Sequence, residues 1–166
     1  MAMTAQLEVS QGKSVADLGR DALWFALHTL FAVCILALVW SAITLSHPDP
    51  ASASPRILAT ALAFLVPLVG GFTVARIWPT SPSTGVAPYV WICGLLFFAA
   101  VCVWVLDLPT GNGLCEKCGA IEKLYRTFFD INHGSGLMGG DGLLVGTWIP
   151  LSMIGYALGA KFGFLE

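Results

Sequence analysis

Charge is what this sequence has least of. Its 166 residues include 8 lysines and arginines and 10 aspartates and glutamates, 11% of the chain. Soluble domains usually carry about 25%. So few charges cannot coat a compact surface in water, which excludes an ordinary soluble domain. The net charge of −2 supplies no basic field, so nucleic acid is excluded as a partner. Disordered, collagen-like and coiled-coil readings fall with the same composition. The sequence also lacks an internal repeat at any fixed period. Its first apolar run reads poorly as a secretory leader, because it begins only at Ala22, is too long for a leader core and is not followed by a small-x-small cleavage pattern.

What the chain has instead is apolar sequence, 57% of it, gathered into runs. A bilayer core about 30 Å thick requires about 20 mostly apolar helical residues. Four runs qualify, at about 22–45, 57–78, 88–108 and 143–160. The expected fold class is all-α: an integral membrane four-helix bundle forming a single domain over residues 1–166. A structured loop at 109–142, carrying an amphipathic helix, joins the third span to the fourth. Prolines 48 and 50 close the first run and prolines 79 and 82 the second, since proline donates no hydrogen bond and disfavours helix in the residue before it. The fourth run is shorter and richer in small residues, the composition of a span held by protein more than by lipid. Trp24, Trp40, Trp78, Tyr89, Trp91, Trp104 and Trp148 stand near run ends, where aromatic rings meet the headgroups.

Four spans place both termini and the 79–87 loop on one side. Basic residues divide evenly, with Lys13, Arg20, Arg76 and Lys161 on that side and Arg56, Lys117, Lys123 and Arg126 on the other. Weighting the first span, which Lys13 and Arg20 precede, puts the termini in the cytoplasm.

Membrane helices associate by close packing, so stripes of small residues show where backbones approach. Ala59, Ala63, Pro67, Gly71 and Ala75 form one such stripe, and Gly155, Gly159 and Gly163 another. They read either as packing inside one subunit or as faces that dock another protein.

Ionisable groups within the runs are few: His28, Arg76 and Asp107. The latter two lie near run ends, where they can reach the headgroups. His28 reads as a side chain hydrogen-bonded to a carbonyl of a neighbouring helix. A haem held by two histidines of this chain is improbable, because His47 and His133 fall in loops. Cys34, Cys93 and Cys102 lie in apolar runs, where a thiol behaves as a small hydrophobe.

The 109–142 loop holds the densest chemistry. Ile121, Leu124, Tyr125, Phe128 and Phe129 follow helical spacing, with Glu122, Arg126 and Asp130 as a charged ladder opposite. Gly134 is the expected cap at its end. The apolar face is expected to lie in the interface or against the bundle, or else to dock a partner. Just before this helix, Cys115 and Cys118 form a C-x-x-C. Three readings stay open. On an oxidising side the pair is a structural disulfide. Near a helix N-terminus it is a redox pair with an activated thiol, although the four-helix quinone-linked thiol oxidases use two such pairs and this chain has one outside its spans. With His133 and Asp130 it makes a tetrahedral metal set, of which zinc is the natural occupant. The run from Asp130 to Asp141 copies a calcium loop only in part, with Gly134 and Ser135 at positions that need an oxygen ligand and a glycine. The segment GSGLMGGDG lacks the G-K-[ST] ending of a phosphate loop.

No nucleophile with base and orienting partner can be assembled from spacing. The expected function is that of a non-catalytic accessory or scaffold subunit of a larger membrane complex, with the lipid bilayer and other membrane subunits, or further copies of itself, as partners. The alternatives are a thiol-disulfide or metal-handling protein using Cys115 and Cys118, and a component of an oligomeric channel or transporter.

Overall fold

The computed structural model describes residues 14–47, 53–107, 119–128 and 147–165. Every regular element among them is helical: α1 (Val15–Ser46), α2 (Ala53–Ile77), α3 (Ser81–Val86), a 3-10 turn (Ala87–Tyr89), α4 (Trp91–Asp107), α5 (Ala120–Phe128) and α6 (Trp148–Leu165). Four helices are long and apolar enough to cross a membrane, with α3 and the 3-10 turn leading directly into the third.

The boundaries depart from the apolar runs for local reasons. α1 begins at Val15 rather than Ala22, because Ser14 caps it. The Ser14 hydroxyl accepts the Asp17 amide at 3.2 Å and donates to the Asp17 carboxylate at 2.8 Å, while Arg20 pairs with Asp17 at 3.0 Å. These polar contacts carry the helix ahead of its hydrophobic part. α6 runs on to Leu165, beyond the end of the fourth apolar run at 160. Pro150 sits in its first turn, where the backbone amides lack intrahelical partners in any case. The segment expected as a loop at 79–87 is instead α3, opened by Thr80 and packed back onto the bundle, with Ser83 and Ala87 fully buried.

α6 is the hub, touching α1, α2 and α4. In its most apolar stretch 56% of residues are buried, against 22% in each of the other three spans. Its closest neighbour is α2, and the two run parallel. A β-carbon on Gly155 would overlap the Phe64 carbonyl oxygen, and one on Gly159 the Leu68 carbonyl oxygen. At Gly163 it would come within 2.6 Å of the Ala75 side chain. From the other side, a β-carbon on Gly71 would overlap the Tyr156 carbonyl oxygen. Ala59, Ala63 and Ala75 are buried along the same face of α2, as is Pro67. The two small-residue stripes therefore face each other within one chain, and their work is backbone-to-backbone approach.

α1 runs antiparallel to α6. His28 lies beside Tyr156, the Ser152 hydroxyl donates to the Ala32 carbonyl at 3.0 Å, and Trp40 packs on Trp148 with rings tilted by 47° and centroids 4.8 Å apart. α4 also runs against α6, with Gly94 close to Pro150 and Met153. The starts of α1 and α4 and the ends of α2 and α6 thus share one end of the bundle, where Trp24 meets Trp78 edge-on at 6.2 Å. Trp148 differs from the other run-end tryptophans. It is 1% exposed, and its indole nitrogen donates to the Thr60 hydroxyl at 2.9 Å, so protein and not headgroups surrounds it.

α5 docks on α4 at the far end through Phe128, whose ring lies 4.5 Å from that of Phe98, above Val101 and Val105. The buried side of α5 is rotated from the expected one. Ile121 and Tyr125 are exposed, while Lys123 and Thr127 are buried beside Phe128. Thr127 can occupy that position because its hydroxyl bonds back to the Lys123 carbonyl at 2.8 Å. Phe129 and Gly134 lie outside the described residues.

Candidate functional site

Hydroxyls on the long apolar helices mostly satisfy themselves on their own helix. Those of Thr29, Ser41, Thr60 and Thr73 each donate to the carbonyl four residues earlier. Against that background one cluster stands out, because it joins three separate elements through side chains alone.

His28 of α1 is 3% exposed. Its Nδ1 lies 2.7 Å from the Tyr156 hydroxyl of α6, and its Nε2 lies 2.9 Å from the Ser83 hydroxyl of α3. Tyr156 and Ser83 are both fully buried. Aromatic rings close the surroundings. The Trp24 ring stands 5.9 Å from the imidazole, and Phe31 meets Tyr156 edge-on at 6.0 Å. The expectation for His28 was a backbone carbonyl partner; the structure gives it two side-chain hydroxyls instead.

Each partner is delivered by local sequence. Ser83 is the third residue of a helix opened by Thr80 and Pro82, which folds the chain inward immediately after α2. Tyr156 lies one turn beyond Ser152, on the face of α6 that meets α1. The nearby Ala32, Val90 and Met153 enclose it.

A neutral imidazole offers one donor and one acceptor, and hydroxyls can serve as either. The chain therefore runs as tyrosine to histidine to serine or in the reverse sense, and in each the histidine uses both nitrogens. Every buried side-chain nitrogen and oxygen among the described residues has a hydrogen-bond partner. The Ser83 to His28 distance suits a nucleophile and its base. Ser83 has no exposed surface, however, and the group behind the imidazole is a phenol, so the cluster ties α1, α3 and α6 together.

The other candidate residues divide clearly. Cys115, Cys118, Asp130 and His133 lie outside the described residues. Among the described residues no group of three or more histidine, cysteine or acidic side chains is placed to hold a metal ion, and Cys34, Cys93 and Cys102 are free thiols. Arg76 extends along its own helix, its guanidinium 5.2 Å from the Phe72 ring centre, and Asp107 is exposed at the end of α4. Arg56, expected only as a flank of the second span, is buried at 6% exposure.

Ser83 and Tyr156 were not singled out from the sequence. The available signal for Tyr156 was its position: a tyrosine inside an apolar run, one turn short of its end, needs a partner for its hydroxyl. Ser83 carried a weaker one, the Ser-Pro-Ser opening of a short helix. Comparison with protein-family models, curated proteins and solved structures finds no match to this chain.

Proposed function

We propose that this is a small multi-pass membrane protein serving as a non-catalytic accessory or scaffold subunit of a larger membrane complex, with its termini in the cytoplasm. The observation that carries the reading is the uneven use of helix faces. α6 is the most buried of the four spans, and its polar cluster is fully hydrogen-bonded. α4, by contrast, packs against α6 and α5 and leaves a long outer face uncovered, from Trp91 through Leu95 and Leu96 to Val103 and Trp104. A well-packed hub ringed by three spans that each leave most of their apolar surface uncovered, α4 touching the rest of the chain least, suits a part that presents a surface to neighbours. The small-residue stripes make no contribution to this reading, since each faces the other inside the chain.

The test is site-specific photo-crosslinking in native membranes, from Leu96 and Val103 on α4 and from Leu38 and Leu65 on α1 and α2. The α4 probes are expected to capture a protein of fixed size that also co-purifies at constant ratio in mild detergent. Lipid adducts alone from all four positions, with a monodisperse single chain in several detergents, would overturn the proposal.

A further inference from the structure

A groove of about 630 Å³ opens between the start of α4 and the last turns of α6, on the side of α6 away from α2. Its volume falls within the range of about 300–1,000 Å³ common to small-molecule sites. The lining is graded. Trp91, Ile154 and Leu158 give it an apolar wall, while Thr84, Tyr89 and Lys161 bring hydroxyls and an ammonium to it. The Lys161 side chain is exposed and makes no ion pair among the described residues. The groove lies at the end of the bundle where Trp24 and Trp78 meet, near the ends of three spans.

Tyrosine, tryptophan and lysine together at a span end are the residue types that meet the headgroup layer. A groove at that level, apolar along one wall and cationic at its rim, matches a molecule with an acyl chain and a negative head. We propose that it seats one anionic phospholipid, with an acyl chain against Ile154 and Leu158 and the phosphate at the Lys161 ammonium. The site concerns a lipid and not a protein partner, so it stands independently of the accessory-subunit reading. Basic pockets between membrane helices hold anionic headgroups by this combination of charge and shape.

Native mass spectrometry of the full chain in mild detergent tests it, with phosphatidylglycerol or phosphatidylcholine of identical acyl chains added in turn. One phosphatidylglycerol is expected to remain bound, at about fivefold preference over phosphatidylcholine, the discrimination one ammonium contributes near an anionic group. Lys161→Gln should abolish the preference and Lys161→Arg should keep it. Leu158→Trp should fill the groove and reduce retention of both lipids. Arg20→Gln, which removes a cation from the same end of the bundle but away from the groove, should change nothing. Inorganic phosphate at millimolar concentration should not compete. Equal retention of the two lipids by the unaltered protein, or an effect of Arg20→Gln equal to that of Lys161→Gln, would overturn the proposal, as would displacement by phosphate alone. Lys161→Gln lies on an exposed position, so its thermal midpoint should match that of the unaltered protein and a loss of preference reports on binding.

Discussion

Gly159 of α6 lies so close to the Leu68 carbonyl of α2 that a β-carbon there would overlap the oxygen, and that carbon would also stand only 2.9 Å from the Phe72 amide nitrogen. Both obstacles are backbone atoms. Neither helix can yield at this point without moving as a whole, so the contact sets the spacing of the α2/α6 seam.

Gly159→Ala should therefore lower the free energy of reversible unfolding in mixed micelles by about 1–3 kcal/mol or more, the usual cost of overpacking. Gly19→Ala, on an exposed part of α1 with nothing within 4 Å of the new carbon, should instead gain up to about 1 kcal/mol from helix propensity. Similar shifts for the two variants would contradict the close approach.

The His28 cluster predicts coupling. In a double-mutant cycle of His28→Ala with Tyr156→Phe, the interaction energy should fall between about 0.6 and 1.7 kcal/mol, the average and upper values for hydrogen bonds between membrane helices. Ser83→Ala should couple to His28 as well, while coupling between Ser83 and Thr73, whose hydroxyl stays on its own helix, should be negligible.

Trp40 and Trp148 are near enough for their indole transitions to interact. The near-ultraviolet circular dichroism of the protein should carry a paired band lost on substituting either residue with phenylalanine. Trp78→Phe, at the other end of the bundle, should leave it in place.

Span direction gives a labelling pattern. In a background without native cysteines, Val15→Cys and Thr80→Cys stand at one end of the bundle, and His47→Cys and Gly119→Cys at the other. In sealed vesicles of uniform orientation, an impermeant maleimide should label one pair or the other and never one member of each. Mixed labelling would rule out four spans across one bilayer.

Phe128→Ala should cost about 3–5 kcal/mol, as for a buried aromatic residue, and Ile121→Ala almost nothing. Comparative unfolding of the two variants checks which side of α5 is the docked one.

That contrast marks where the sequence stopped being informative. Hydropathy found the four long apolar helices because each carries its length and apolarity within its own segment. Four-residue spacing found the two glycine and alanine stripes, since close backbone approach leaves a compositional trace. Which stripe meets which is a tertiary question, and so is the side of α5 that packs: Lys123 and Thr127 look polar in sequence but are covered in place. The early start of α1 was readable, since Ser14 and Asp17 have the spacing of a capping box, but the apolar run drew the boundary inward. The His28 cluster joins residues 128 and 55 positions apart. No local pattern records such a meeting, and only the position of Tyr156 inside an apolar run hinted at it.

The hub of this bundle comes after the other three spans in the chain. During synthesis α1, α2 and α4 are made before the helix they surround, and until α6 follows Gly71 lacks its Tyr156 contact and His28 lacks its phenol. A chain ending before Trp148 would leave the His28 imidazole without its Tyr156 partner and the small-residue face of α2 without its glycine counterpart.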